Sequence, residues 1–273
     1  ARHMARALQL AKRGLYTTDP NPRVGCVIVK EGTVVGEGWH AHAGEPHAEI
    51  NALRQVEHPA GSTLYLTLEP CCHFGRTPPC ALALIESGVA RVVIAMLDPN
   101  PQVAGKGIAL LQEVGIPVEI GLMQAEAQAI NPGFIKRMEL GLPYVRLKLA
   151  ASLDGRTALE NGTSQWITGE PARADNQHWR ARSSAILTGI NTVLVDDPAL
   201  NVRDLETDRQ PLRVVLDSSL KLPRTAQLLK LEGRTLIITT SQDKHRIKEL
   251  TKVNVEVLVV NEQQGRTDLH AAM

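Results

Sequence analysis

The chain has 273 residues, of which 43% are hydrophobic, 22% charged and only 3% aromatic, and its formal net charge is +1. That length suits two domains rather than one, and a near-neutral charge without a basic stripe argues against a nucleic-acid binder. There is no run of about 18 apolar residues that would span a membrane, and the four cysteines are too few for a disulfide scaffold in so long a chain.

The opening "ARHMARALQLAKRG" is apolar at helical spacing and reads as an amphipathic helix over residues 4–14, not as a leader peptide. "VGCVIV" and "TVVGEGW" are β-rich runs joined by "KEG", a hairpin signal. Residues 47–55 read as a helix, "STLYLTL" as a strand stopping at Glu69-Pro70, residues 79–88 as a helix and "ARVVIAML" as a buried strand. A helix over 107–115, the strand "IPVEIG" and a helix over 125–138 follow. Strands alternating with helices predict a three-layer α/β domain. "GLP" near Leu142 is a boundary signal, giving domains over 1–142 and 143–273. The second part reads as another α/β sheet domain, with strands at 144–150, 185–189, 212–217, 235–240 and 253–260 and a helix over 170–184.

Three of the four cysteines crowd into "HAEINALRQVEHPAGSTLYLTLEPCCHFGRTPPC". A catalytic zinc needs three protein ligands and an open position. Cytosine-type deaminases supply one His and two Cys, with a Glu that shuttles protons without ligating the metal. His47-Ala48-Glu49 fits the first half of that pattern and Pro70-Cys71 the start of the second. A P-C-x-x-C would then require cysteine at 74, where Phe74 stands. Cys72 is adjacent to Cys71, and neighbouring thiolates rarely face one metal. Cys80 opens a helix, whose dipole is expected to favour its thiolate. The expected ligands are therefore His47, Cys71 and Cys80, with Glu49 as proton shuttle. A closed structural site, with Cys72 or His73 as fourth ligand, is the competing arrangement. Cys26, inside a strand, reads as a core residue, and His42 and His58 as surface residues. In a reducing cytoplasm, where this chain is expected to work, clustered cysteines indicate metal or catalysis before disulfides.

Taken together, "NPRVGCVIV", "GWHAHAGEPHAE", "TLEPCCHFGRTPPC", "MLDPNPQVAGKG", "LKLAASLDGRTA", "SQWITG" and "TVLVDDPALNVR" closely resemble the bacterial bifunctional riboflavin-biosynthesis deaminase/reductases. The resemblance runs in order over almost the whole chain, and the long Cys-to-Cys spacing is normal in that family. It implies a cytidine-deaminase-like three-layer domain followed by a dihydrofolate-reductase-like α/β domain. The implied reactions are zinc-dependent deamination of a diaminopyrimidine ribotide and NADPH-dependent reduction of its ribose to ribityl. Asn21, His40, His73 and Arg76 would hold the pyrimidine and its phosphate, and residues 98–107, after a strand end, would line the same pocket.

In the second domain no G-x-G-x-x-G follows a strand, so NADPH rests on the resemblance alone. It implies that Lys148, Ser164, Arg180, Leu200 and Arg203 meet the substrate and that Ala150, Trp166, Thr192 and Asp196 meet NADPH. Two arginines and a lysine suit an anionic ribose phosphate, and Trp166 offers a flat face to a cofactor ring. Asp196 and Lys148 are both open as the group assisting proton transfer to the sugar, while Asp154 reads as a turn former. The chain stops at "TDLHAAM", where a helix begins and earlier than in the family, so the reductase part is expected to lack its C-terminal portion. A homodimer or larger assembly is also implied. Two other classes compete: a nucleoside or tRNA-base deaminase with an accessory domain, and a structural zinc module that binds a partner.

Overall fold

The computed structural model describes residues 1–73, 79–253 and 255–273. It divides into two compact units, Ala1–Tyr144 and Val145–Met273.

The first unit is built on a five-stranded sheet. The helix α1 (Arg2–Ala11) leads through a single 3₁₀ turn to β1 (Gly25–Lys30) and β2 (Thr33–Trp39). Glu31 and Gly32 both take positive φ between these strands, as a tight hairpin turn requires. Then come α2 (Ala48–Leu53), β3 (Thr63–Leu66), α3 (Cys80–Glu86), β4 (Arg91–Ile94), α4 (Lys106–Glu113) and β5 (Val118–Ile120). The spatial order is β2-β1-β3-β4-β5; β1 is antiparallel to both neighbours, and β3, β4 and β5 run parallel.

Period-two alternation splits the sheet between two cores. Val27, Val29 and Val93 face Met4, Ala7 and Leu10 of α1 on one side, while Cys26, Ile28, Val92 and Ile94 face Ala48, Leu84 and Leu111 on the other. This makes three layers, and it puts Cys26 in the core. Because β3 and β4 are parallel, the chain leaves both at the same end of the sheet, towards Cys71 and Asp98 respectively. Gly38 lets α2 lie directly on β2: a Cβ there would stand 2.2 Å from the Ala48 carbonyl oxygen.

The single helix expected over 125–138 is two helices, α5 (Gln124–Ile130) and α6 (Pro132–Leu140). Pro132 has no N–H to donate and disfavours helical backbone at Asn131, so the chain turns there and Pro132 becomes the first residue of α6. The Asn131 side chain closes the corner, donating to the Arg23 carbonyl at 2.9 Å and accepting from the Arg23 amide at 2.8 Å.

In the second unit, residues 142–169 contain no helix or strand, so the strand expected over 144–150 is absent. Its alternating pattern is real, but Val145, Leu147 and Leu149 stay 61%, 79% and 71% exposed. Alternation makes a strand only where a neighbour takes up its backbone hydrogen bonds. After α7 (Glu170–Ala181) come β6 (Ala185–Gly189), α8 (Ile190–Asp196), β7 (Leu212–Leu216), β8 (Thr235–Thr239), α9 (Lys244–Thr251) and β9 (Val255–Val259). These strands form an all-parallel sheet in chain order. Val193, Val215, Leu222, Leu228, Ile237 and Leu250 form its core. A short hairpin, β10 (Glu262–Gln263) with β11 (Arg266–Thr267), and α10 (Leu269–Ala272) complete the unit.

Candidate active site

His47 is the N-cap of α2 and has extended backbone. It therefore escapes the helical rotation that would turn residues two apart to different faces, and it shares the site with Glu49 of the first turn. Its Nδ1 lies 3.2 Å from Cys80 Sγ and 3.6 Å from Cys71 Sγ. All three ligand-type atoms fall within 4.8 Å of one another. Zinc bonds of roughly 2.0–2.3 Å in tetrahedral geometry separate such atoms by about 3.5–3.8 Å, so the donor set fits that ion in size and kind. Cys72 points elsewhere, its Sγ 3.6 Å from the Gln102 carbonyl.

The two thiols are unequal. The Cys71 thiol is pulled down to about 4, first by the hydrogen bond from the Cys80 thiol and then by His47; the Cys80 backbone amide also donates to its sulfur at 3.3 Å. The Cys80 thiol is pushed up because it supplies that hydrogen bond and is buried. The Cys71 thiolate in turn raises His47 above the usual imidazole value.

Glu49 is 3% exposed, and its Oε2 is buried without a hydrogen-bond partner among the described residues. Burial lifts its carboxyl to about 7, against the opposing pull of His47. A buried carboxyl whose pKa is raised, with an oxygen left unpartnered beside three metal-type donors, is suited to moving protons there.

Asn21 sits between Pro20 and Pro22, with its Nδ2 3.1 Å from His40 Nε2. His40 is buried, which lowers its pKa, and its Nδ1 lies 3.3 Å from the Pro46 carbonyl. A neutral ring donating through Nδ1 to Pro46 leaves Nε2 to accept from the Asn21 amide. The Asn21 carbonyl oxygen then remains to accept from a ligand. These residues, with His47, Glu49, Cys71 and His73, line a cavity of about 470 Å³, which Asp98, Asn100 and Val103 also line. Burial lifts the Asp98 carboxyl to about 6. Arg76 lies outside the described residues. His42 pairs at the surface with Glu45, and His58 is exposed.

The sequence reading missed two contributors. The buried Glu69 carboxylate accepts four backbone N–H groups: Gly105 at 2.9 Å and Asp98 at 3.2 Å through Oε2, Gly107 at 3.1 Å and Ile108 at 3.4 Å through Oε1. It ties the Pro70-Cys71 segment to the loop lining the cavity. The only hint was a carboxylate just before Pro-Cys at a strand end. The second contributor is α6, which presents Phe134, Arg137 and Met138 to the cavity.

In the second unit, Arg180 donates from Nη1 to the Asn201 carbonyl at 2.9 Å, and the Arg203 amide donates to Gln177 of the same helix at 3.2 Å. Arg180, Leu200 and Arg203 are thereby gathered, and burial followed by the Arg203 charge lowers the Arg180 pKa. Thr192 and Asp196 lie exposed on α8. Lys148, Ala150, Ser164 and Trp166 lie on the irregular 142–169 stretch; the Trp166 ring is 69% exposed, with the Arg173 guanidinium 4.6 Å above its centre. Asp154 sits in an exposed turn, accepting from the Ser152 hydroxyl.

Residues 1–96 match the family described as the cytidine and deoxycytidylate deaminase zinc-binding region, and residues 143–273 match the RibD C-terminal domain. The chain is 53% identical to the riboflavin biosynthesis protein RibD of Escherichia coli, over 99% of this chain and 76% of the relative. Among solved structures, Acinetobacter baumannii RibD superposes with a TM-score of 0.90 at 50% identity, covering 96% of this chain and 74% of that one. A diaminohydroxyphosphoribosylaminopyrimidine deaminase/5-amino-6-(5-phosphoribosylamino)uracil reductase from Thermotoga maritima superposes with a TM-score of 0.84 at 36% identity, covering 97% and 81%.

Proposed function

The chain belongs to the RibD family of riboflavin biosynthesis proteins, and from that premise we infer which of its residues carry the family's two reactions. The protein is a bifunctional enzyme, a zinc-dependent deaminase and an NADPH-dependent reductase. It converts 2,5-diamino-6-ribosylamino-4(3H)-pyrimidinone 5′-phosphate to the uracil ribotide and then reduces the ribose, giving 5-amino-6-(5-phosphoribitylamino)uracil. No helix among the described residues is long and apolar enough to cross a membrane.

His47, Cys71 and Cys80 are the residues that would hold zinc. The ion supplies Lewis acidity, lowering the pKa of a water towards neutrality. Glu49 takes one proton of the attacking water at its Oε2 and gives it to the ring nitrogen, then takes the second and gives it to the leaving amine, which departs as ammonia. Asn21, oriented by His40, accepts from the pyrimidine edge and holds the ring against the metal group. His73, which lines the cavity, would contact the ribotide, and the family resemblance gives Arg76 a part in holding its phosphate. The observation that carries this reading is the convergence of His47 Nδ1 and the two cysteine sulfurs within 4.8 Å, beside a buried carboxylate with an unpartnered oxygen.

For the reductase, Arg180 and Arg203 bind the ribose phosphate, with Lys148, Ser164 and Leu200 around the sugar. NADPH supplies the hydride; Trp166 gives its ring a flat face, with Ala150, Thr192 and Asp196 as its other contacts. The assembly is a homodimer or larger, working in the cytoplasm on a small ribotide.

The test is the product mass after zinc-loaded protein meets the diaminopyrimidine ribotide and NADPH. Exchange of an amine for an oxygen, with gain of two hydrogens, is expected. An unchanged ribotide, with zinc confirmed bound, would refute the reading.

A further inference from the structure

His47 and Glu49 sit at the start of α2. Two residues on, the same helix carries Asn51, which the chemistry above does not use. Asn51 is half-buried, and both hydrogens of its amide are committed: Nδ2 donates to the Trp39 carbonyl at 2.9 Å and to the Pro46 carbonyl at 3.2 Å. β2 is an edge strand, so the Trp39 carbonyl turned away from β1 has no further strand to pair with. The short Asn51 side chain reaches it because α2 lies directly on β2. A Cβ on Gly36 would stand 2.6 Å from the Ala52 carbonyl oxygen, just as one on Gly38 would meet Ala48. Gln55, just past the helix end, grips the same strand at Glu37, donating to its carbonyl at 2.6 Å and accepting from its amide at 3.3 Å. The two carbonyls held by Asn51 are those that set the His40 ring. The Trp39 carbonyl belongs to the peptide leading into His40, which supplies the donor Nδ1, and the Pro46 carbonyl is the acceptor at 3.3 Å. The two lone pairs of the Pro46 oxygen are thus shared between His40 and Asn51. One amide fixes both ends of the bond that holds the ring, and the ring's Nε2 accepts from Asn21 at 3.1 Å.

We propose that Asn51 is a positioning residue of the deaminase: by holding the Trp39 and Pro46 carbonyls it sets the His40 ring, and through that ring the Asn21 amide, in the orientation that receives the pyrimidine. Asn51 acts through these two residues and not on the ring of the substrate itself. Without it, the backbone that carries the His40 donor and the carbonyl that accepts from it are no longer tied to one another, and the Asn21 oxygen loses its fixed direction. The assignment rests on the reading of Asn21 and His40 given above.

The experiment measures ammonia release from the diaminopyrimidine ribotide by the zinc-loaded full chain and, by NMR on isotope-labelled histidine, the exchange of the His40 Nδ1 proton with solvent. Asn51→Ala is expected to raise KM about 10-fold while kcat stays within about 3-fold, because Asn21 holds the pyrimidine in ground state and transition state alike. The same variant should speed exchange of the ring proton by about 10-fold or more. Asn51→Asp keeps the outline of the side chain without its donors and should match both changes. Gln55→Ala loosens the same helix from the same strand without touching Pro46, and it should leave KM and the ring proton within about 2-fold of wild type. KM and ring-proton exchange within about 2-fold of wild type in both Asn51 variants would overturn the proposal. So would a Gln55→Ala variant that reproduces the Asn51→Ala changes, since Asn51 would then only fasten α2 to the sheet. A fall in kcat at constant KM would overturn it too, as the mark of a smaller folded fraction. Wild-type protein that leaves the ribotide untouched, while the ring proton responds to Asn51→Ala as expected, would instead remove the deaminase reading and leave the hold of Asn51 on His40 standing.

Discussion

Replacing Glu69 by Gln tests how the cavity wall is held. The carboxylate has two N–H groups on each oxygen, at 2.9 and 3.2 Å on one and 3.1 and 3.4 Å on the other. An amide of the same shape keeps one oxygen and its two donors, but it turns an NH₂ towards the other two. Two charge-assisted bonds are lost, and two backbone N–H groups are left facing a donor in a site only 3% exposed. Bonds to a charged acceptor contribute roughly 1.5–3 kcal/mol each, so the loop should lose about 3–6 kcal/mol. Hydrogen exchange on the full zinc-loaded chain reads this directly. Whichever oxygen is replaced, one pair of amides, Asp98 with Gly105 or Gly107 with Ile108, should lose protection by about 100-fold or more. Protection at all four amides within about 3-fold of wild type would refute the reasoning, because it would mean that the carboxylate contributes almost nothing to holding the loop.

Other substitutions probe the rest of the site. Glu49→Gln should retain zinc at wild-type stoichiometry, measured by metal analysis, while ammonia release falls by about 10²-fold or more; normal turnover would remove Glu49 from the proton path. Cys80→Ser should cut zinc affinity steeply, read by competition with a chromogenic chelator, since a neutral hydroxyl replaces a thiolate. Gly107→Ala would place a Cβ 2.1 Å from the Pro70 carbonyl oxygen. Backbone must move to admit it, so urea unfolding should show a loss of about 1–3 kcal/mol.

The metal group was legible because its chemistry is local and uncommon: His47-Ala48-Glu49, Pro70-Cys71 and Cys80 carry donor types that few other functions need together. The alternating layers were legible too, since Val27 and Val29 against Cys26 and Ile28 write the two faces of a strand directly into the order of residues. Other features depend on partners far along the chain. Only folding sets Cys72 against Gln102, gives Glu69 its amides 29 to 39 residues away, and turns the helix at Asn131 so that Arg137 meets the cavity. The 144–150 stretch shows the same limit from the other side. Alternating side chains state which face a strand would bury, but the ladder that makes it a strand belongs to its neighbours. The chemistry of each donor is therefore settled by residue type. The proton balance between Cys71 and Cys80, the free oxygen of Glu49 and the walls of the cavity were decided by burial and long-range hydrogen bonds, which exist only once the chain has closed.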